Sequence, residues 1–356
     1  MKEITAFLKE ILSLPGLSAY EKPVSERIAA TWKPLVDEIS VSRLGSLHAL
    51  RRGCANEPRP RILLAAHMDA IGLMATTIEN GFIHFTEIGG VDPRILPGQP
   101  VTVHGQRDLP GIVIQPASFL LPPTLSNHDP VPMDQLLIDT GLQPQEVLSL
   151  VRPGSPISFA QPPMELAGNV ICGHSLDNRA SVAALTVCLQ ELQHITHKWD
   201  VWAVATSQEE ETLGGALTSP FEIRPHIAIA VDVTFAKGPG VSDYKGFPFG
   251  KGIALGHGPN IHPAIHKAIR ELAERLEIPF QLDAMPAQSG TDAMGLQITA
   301  EGIPTMVISI PLRYMHTPVE AVALKDIDRA GRLLAEFIAR LETNFLDTLS
   351  WDVTNG

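Results

Sequence analysis

Cysteine is scarce in this chain of 356 residues: the sequence contains three, Cys54, Cys172 and Cys188. No two of them form a CxxC pair, and an odd number of cysteines cannot close a disulfide framework. This shortage argues against a disulfide-stapled secreted fold and favours a protein of a reducing compartment.

Long hydrophobic runs are also missing, and no apolar stretch approaches the length that crosses a bilayer. The first segment, MKEITAFLKEILSLPG, is not expected to be a signal peptide, because Glu3, Lys9 and Glu10 interrupt the apolar region that such a peptide needs. Its apolar residues instead recur at helical spacing and predict an amphipathic helix that ends at Pro15-Gly16. We expect a soluble, cytoplasmic protein with no membrane partner.

Positive charge is in deficit. Lys and Arg number 27 against 39 Asp and Glu, and the net charge is −12. Such a charge repels nucleic acids and anionic lipids, so neither is an expected partner, and it fits a protein that binds cations. The apolar content of 44% is enough for a sizeable core in one large domain or two of ordinary size.

Several catalytic signatures are absent. The chain has no GxSxG elbow, which removes the simplest route to a serine hydrolase. It has no HExxH helix, and the stretch GKGIALG at 250–256 lacks the spacing of a dinucleotide-binding fingerprint.

What the chain does contain is an alternation of short apolar runs and helical stretches. The apolar runs are 61–66, 199–207, 226–233 and 305–310, and the helical stretches are 178–193, 262–278 and 323–344. Uninterrupted apolar runs are typical of strands that are buried on both faces. The alternation therefore predicts an α/β fold with a mostly parallel sheet, covered by helices on both sides.

The middle of the chain has a different pattern. Asn80-Gly81 is a strong hairpin signal, and short strands bounded by Pro and Gly follow it. We therefore predict a small, largely β domain at 71–163, inserted into a discontinuous α/β domain at 1–70 and 164–356. One continuous mixed domain with a long insertion is the alternative.

Charged and imidazole side chains follow the predicted strands. Open α/β sheets bind ligands beyond the carboxyl ends of their strands, so these side chains should meet at one edge of the sheet. Together with one carboxylate at the start of the helix at 178–193, they are His67, Asp69, Asp177, Glu209, Glu210, Asp232 and His316. Asp177 alone would be a helix N-cap, and either His alone a turn residue. Their convergence favours a metal site.

The residue types narrow the chemistry. Two imidazoles and at least three carboxylates suit two borderline divalent ions that share one carboxylate, and we expect zinc, with cobalt or manganese as alternatives. Two such ions activate a water, and a nearby carboxylate that is not a ligand must accept its proton. Glu209 and Glu210 meet this need because the side chains of adjacent residues diverge. Asp69 is placed to accept the second N–H of His67.

These residues lie in stretches that resemble the tetrahedral-aminopeptidase, or glutamyl aminopeptidase, family of di-metal peptidases. In chain order the stretches are AAHMDAIGLM, GHSLDNRASVAAL, ATSQEEETLGGA, IAVDVTFA, FGKGIALGHGPNIHP, SGTDAMGLQ and YMHTPVE. The likeness runs from the N-terminal helix to about residue 344. It implies a three-layer α/β/α sandwich with an inserted small β-barrel domain that is used in oligomerisation.

The resemblance also implies a role for each candidate residue. The implied metal ligands are His67 and Asp232 for one ion, Glu210 and His316 for the other, and Asp177 as the bridge between them. Glu209 would be the general base, and Asp69 would orient His67. The chain departs from the usual family residues at Ala70, Glu211, Thr212, Gly214 and Phe235, none of which is an implied ligand.

We therefore expect a metal-dependent aminopeptidase that releases N-terminal residues from short peptides and forms a homo-oligomer, from a dimer up to a dodecamer. A related di-metal deacylase or carboxypeptidase is the alternative, because it would share the metal chemistry. A glycoside hydrolase that uses Glu209 and Glu210 is disfavoured, since adjacent residues are poorly placed to flank a scissile bond. A non-catalytic binding protein would have lost a ligand, and none is lost.

Overall fold

A computed structural model of the protein describes residues 2–117, 119, 130–242 and 245–351. The strands are β1 (Glu38–Val41), β2 (Leu47–Arg51), β3 (Arg61–His67), β4 (Gly72–Glu79), β5 (Phe82–Ile88), β6 (Pro100–His104), β7 (Asp108–Ile114), β8 (Leu137–Asp139), β9 (Pro156–Phe159), β10 (Met164–Leu166), β11 (Val170–Gly173), β12 (Asp200–Thr206), β13 (Ile227–Phe235), β14 (Ile253–His257), β15 (Phe280–Ala284), β16 (Thr305–Arg313) and β17 (Glu320–Ala323). The α-helices are α1 (Lys2–Leu12), α2 (Lys22–Trp32), α3 (Pro144–Leu150), α4 (Leu176–Glu191), α5 (Glu209–Thr212), α6 (Gly214–Ile223), α7 (Pro263–Arg275), α8 (Ala293–Gln297) and α9 (Leu324–Arg340).

Eleven of the described strands form one sheet, in the order β1-β2-β12-β3-β13-β16-β17-β11-β10, with β14 beside β16 and β15 beside β14. Its four central strands, β12, β3, β13 and β16, are parallel. The outer strands pair antiparallel, except that β15 runs parallel to β14. The sheet is therefore mixed, with the expected parallel arrangement at its centre. Its edges differ because short turns join β1 to β2 and β10 to β11, and only antiparallel neighbours can be joined in that way.

The central strands position the candidate site. They are buried along almost their whole length. Burial on both faces explains why they appear in the sequence as uninterrupted apolar runs. Because the four strands are parallel, their carboxyl ends lie at one edge of the sheet, where α/β folds bind ligands.

Helices cover the sheet in two layers. On one side α4 packs against α9, α1 and the central strands. On the other side α6 packs against α8, and both contact the central strands. The α/β/α class predicted from the sequence is confirmed. Among the helices of the described ranges, not one combines the length and the apolar character that crossing a membrane requires.

A second hydrophobic core belongs to a closed antiparallel barrel. Its strand order is β4-β5-β8-β7-β6-β9, and every strand lies between Gly72 and Phe159. Its buried residues form a cluster that is distinct from the core of the large sheet. The small barrel predicted for this region is thus present. The division into domains at 1–70 with 164–356 and at 71–163 stays a prediction.

The turn between β4 and β5 is the two-residue hairpin expected at Asn80-Gly81. Both residues have positive φ angles, 52° at Asn80 and 88° at Gly81. A type I′ turn requires such angles at both positions, and Asn and Gly adopt them at the lowest cost.

One buried cation ties the N-terminal segment to the sheet edge. Arg179 on α4 is fully buried and donates hydrogen bonds to the carbonyl oxygens of Ile11, Leu14 and Gly16 and, at 3.2 Å, to that of Met68. A buried charge is tolerated only when its donors are satisfied. Arg179 therefore holds the residues after α1 against the end of β3, directly behind the candidate site.

Candidate active site

Six of the seven candidate residues line one cleft of about 150 Å³ at the carboxyl edge of the sheet. These are His67, Asp177, Glu209, Glu210, Asp232 and His316. The seventh, Asp69, is fully buried. The side chains come from four parallel strand ends and from the start of α4, as the strand order requires.

Asp177 lies at the centre of the cleft, and its two carboxylate oxygens face different partners. Oδ1 is 3.1 Å from Nε2 of His67. Oδ2 is 3.4 Å from Nε2 of His316. The backbone of α4 is not helical at Asp177 and Asn178, and this irregular start turns the carboxylate into the cleft. One side chain thus joins the two imidazoles.

The ligand atoms fall into two groups that could each hold a metal ion. His67, Asp177 and Asp232 form one group, and Asp177, Glu210 and His316 form the other, with all ligand atoms of a group within 4.8 Å of one another. Imidazole nitrogen and carboxylate oxygen are the donors that zinc and similar divalent ions accept. The residues therefore fit two cations that share Asp177.

Glu209 stands apart from both groups. Its Oε2 lies 3.8 Å from Nε2 of His67, and the side chain is largely buried. Burial raises the pKa of this carboxyl to about 10, because it outweighs the opposing charge of His67. Glu209 is therefore a group in the cleft that can hold a proton without being needed as a ligand.

Asp69 has a wider role than the sequence indicated. Its carboxylate accepts the backbone N–H of Glu209 at 3.0 Å and that of Glu210 at 3.2 Å, and also the hydroxyl of Ser18. Nδ1 of His67 is closer to the carbonyl oxygen of Asp69, at 3.2 Å, than to its carboxylate, at 3.5 Å. Because three donors occupy the carboxylate, the main chain of Asp69 is the nearer partner of the imidazole.

Glu320 is a buried carboxylate of the site to which the sequence interpretation gave no role. Its Oε2 accepts the backbone N–H of Asp177 at 3.0 Å, and its Oε1 accepts that of His316 at 2.9 Å. It thereby fixes the backbone of residues from both candidate ligand groups. The available signal was its position in MHTPVE, four residues after His316.

The barrel also contacts the site. Nδ1 of His316 lies 3.0 Å from the carbonyl oxygen of Gly90, just after β5, and donates to it. Gly89 is the residue before Gly90, and its backbone N–H donates to the carboxylate of Glu211 at 2.6 Å. Glu211 is one of the residues at which the chain departs from the resembled family. It connects α5 to the loop that orients His316.

The electrostatics of the cleft reflect crowded, buried carboxyls. Burial, with the charge of Asp177, raises the pKa of Glu210 to about 7, and burial raises that of Asp232 well above its usual value. Burial also acts on Asp177, but hydrogen bonds from His316 and His67 outweigh it and lower its pKa. The bond with Asp177 raises the pKa of His316 to about 9. The cluster therefore retains protons unless other cations replace them.

Known proteins are similar to this chain over most of its length. The sequence profile of the M42 glutamyl aminopeptidase family matches residues 45–333. The lysyl aminopeptidase of Pyrococcus furiosus is 34% identical over 347 residues, which cover 94% of this chain and 96% of that protein.

Solved structures share the fold over nearly the whole chain. A TET aminopeptidase from a marine-sediment Thaumarchaeota archaeon superposes with a TM-score of 0.92 at 29% identity, covering 98% of this chain and 99% of that one. The TET1 peptidase of Pyrococcus horikoshii, which can assemble into a tetrahedron or a large octahedral shell, gives a TM-score of 0.82 at 28% identity, covering 95% of this chain and 100% of that one.

We predict that the metal-free protein loses stability as the pH rises. The folded-state pKa of Glu209 is about 10 against an ordinary 4.5, and that of His316 is about 9 against 6.5. Between these values the folded protein holds protons that the unfolded chain has released, so the free energy of unfolding falls with rising pH. Calorimetry of chelator-treated protein should give a lower Tm at about pH 9 than at about pH 6, and Glu209→Gln should reduce the difference. A Tm that rises over this range would contradict the assignment.

We also predict that Glu211→Val loosens the loop that orients His316, because the hydrogen bond from Gly89 is lost. Amide exchange at 88–91 should quicken, and zinc affinity should fall roughly 3–10-fold, less than the 10–100-fold typical of direct partners of a ligand. Glu211→Gln keeps an acceptor oxygen and should behave like the wild type. Equal exchange rates in the Val variant and the wild type would show that Glu211 does not hold the loop.

Proposed function

Because the chain belongs to the M42 glutamyl aminopeptidase family and is a metal-dependent aminopeptidase, we propose that it releases N-terminal residues from short peptides with two divalent ions and a glutamate general base. The observation that carries the proposal is the placement of Asp177. Its two oxygens face two separate imidazoles, which is the arrangement that a carboxylate shared by two ions needs.

The proposed ligands are those that the geometry groups: His67 and Asp232 at one ion, Glu210 and His316 at the other, and Asp177 at both. Zinc is the proposed metal, with cobalt or manganese as alternatives. When bound, the ions would act as Lewis acids toward a peptide carbonyl and make water acidic enough to attack it. Neutral imidazoles are needed for this, so loading displaces protons from His67 and His316.

Glu209 is the proposed general base. Its carboxylate accepts a proton from the attacking water and passes it to the leaving amine nitrogen, so the same group acts as a base and then as an acid. Asp69 supports this role because it accepts the N–H of Glu209 and so fixes the backbone from which that side chain extends. In the metal-free protein burial raises the pKa of Glu209, and bound cations would favour the ionised carboxylate that a base requires.

Glu320 and Gly90 are proposed to orient the site. Glu320 holds the backbone of Asp177 and His316, while the carbonyl of Gly90 receives Nδ1–H of His316 and leaves Nε2 free to ligate. Partners of this kind fix the tautomer and direction of a metal-binding imidazole.

We further propose that the protein forms a homo-oligomer, from a dimer up to a dodecamer, with the barrel as the oligomerisation domain. The assembly of the Pyrococcus horikoshii relative into a tetrahedron or a large octahedral shell supports this, since the two chains match over nearly their whole lengths. A cytoplasmic location is also proposed, because Cys54, Cys172 and Cys188 are free thiols.

Glu209→Gln tests the general base. Metal content should stay unchanged while kcat on an aminoacyl p-nitroanilide falls ~10²–10⁴-fold, the usual contribution of general acid–base catalysis. The wild type should fail on the N-acetylated anilide, which a deacylase would accept. Unchanged kcat in the variant, or a loss of metal, would remove Glu209 from this role.

His316→Ala tests the ligand assignment. The variant should retain about one metal ion per chain where the wild type binds about two, because one group loses its imidazole. Elemental analysis of dialysed protein measures this. His257→Ala is the matched control, since His257 is an exposed imidazole outside both groups. Equal metal content in His316→Ala and the wild type would refute the assignment.

A further inference from the structure

A second cavity lies apart from the metal-ligand cleft. It has a volume of about 290 Å³ and opens between the barrel and the segment that follows α1. It shares no lining residue with the cleft that contains Asp177. Its walls combine apolar side chains such as Leu17 and Phe159 with hydroxyl and imidazole groups. The volume is near the lower end of the range of small-molecule sites.

Three side chains of this cavity form a connected series. Nδ1 of His104 lies 2.8 Å from a carboxylate oxygen of Asp108, and Nε2 of His104 lies 2.9 Å from Oγ of Ser158. An ionised carboxylate only accepts hydrogen bonds, so Nδ1 of His104 must carry the proton. In a neutral ring Nε2 is then an acceptor, and the hydroxyl of Ser158 must donate to it. The polarity of the series is that of a Ser-His-Asp triad.

The strands hold this series rigidly. His104 is directly opposite Asp108 in the β6–β7 pair, and Thr102 is directly opposite Ser158 in the β6–β9 pair. Cross-strand neighbours project from the same face of a sheet. Thr102 therefore lies beside Ser158, and both line the cavity.

A buried imidazole with one unpartnered nitrogen lines the cavity. His174 is 6% exposed, packs edge-on against Phe159, and Nδ1 has no hydrogen-bond partner among the described residues. Burial, together with the charge of Arg179, lowers the pKa of His174 to about 3, so the ring is neutral. Leaving a buried polar atom unsatisfied is costly, and a bound molecule with an N–H or O–H group would relieve that cost.

We propose that this cavity is a second catalytic site that hydrolyses small esters, with Ser158 as nucleophile, His104 as general base and Asp108 holding the ring of His104 in the active tautomer. The inference is independent of the proposed peptidase mechanism, because it uses none of the candidate metal ligands.

The reaction balances with water as the only co-reactant. Oγ of Ser158 bonds to the acyl carbon while its proton moves to Nε2 of His104, and the bond from carbon to the leaving oxygen breaks as that oxygen takes the proton. Water then attacks the acyl-serine, gives its proton to Nε2, and releases the acid as Ser158 recovers the proton. Thr102 lines the same cavity, and its hydroxyl can donate to the negative oxygen that develops on the acyl group.

The exposure of Asp108 determines how fast we expect the ester to be hydrolysed. Its side chain is 71% exposed, so solvent screens its charge, and it stabilises an imidazolium less than a buried carboxylate would. We therefore expect slow turnover. Covalent capture of the nucleophile is the more sensitive way to detect such a site.

The test uses the full chain after removal of metals with a chelator, so that the metal-ligand cleft cannot contribute. A fluorophosphonate probe should form an adduct at Ser158, located by peptide mass spectrometry, and the protein should hydrolyse p-nitrophenyl acetate. His104→Ala should lower the labelling rate by ~10²-fold, since it removes the general base. Ser158→Ala should lose the adduct.

Ser13→Ala is the matched control, because its hydroxyl borders the same cavity but donates to the carbonyl of Lys9. It should label like the wild type. Ser158→Ala should keep normal metal-dependent peptidase activity, which also shows that the variant is folded. An intact wild type without an adduct at Ser158, or equal labelling in His104→Ala, would overturn the proposal.

Discussion

The mutual repulsion of carboxylates at one sheet edge is the constraint on which the rest of the site depends. Parallel strands bring Glu210, Asp232 and the helix-start residue Asp177 into one small cleft, where burial weakens the screening of their charges by water. The structure offsets this in part with hydrogen bonds from two imidazoles and with raised carboxyl pKa values. Divalent cations would complete the compensation, so the same repulsion that destabilises the metal-free chain favours metal binding.

Hydrogen bonds between side chains and the main chain position the candidate site residues. Asp69 holds the turn that carries Glu209, Glu320 holds two backbone segments, and Gly90 receives the imidazole of His316. A carboxylate that accepts backbone N–H groups loses its rotamer freedom when the chain folds, so that entropy is not lost again when a ligand binds. These bonds would preorganise the proposed site, which is the condition for electrostatic stabilisation of a transition state.

The barrel contacts the candidate cleft through the loop that follows β5. Its loop after β5 is bound by Glu211 and in turn binds His316, so movement of the barrel would be transmitted to a candidate ligand. The cavity that contains Ser158 is lined by residues of the barrel and of the segment after α1, and Arg179 binds two carbonyl oxygens of that segment. A barrel placed in this way can influence the cleft without supplying a candidate metal ligand.

The sequence by itself determined the α/β/α class, the hairpin at Asn80-Gly81 and the residues that meet in the cleft, because apolar periodicity, turn chemistry and strand ends are local signals. Tertiary structure alone decided which oxygen of Asp177 faces which imidazole, the roles of Glu320 and Gly90, and the series that joins Ser158 to His104. These contacts join distant residues, as many as 226 positions apart for His316 and Gly90, and no local pattern encodes the pairing of side chains across strands and domains.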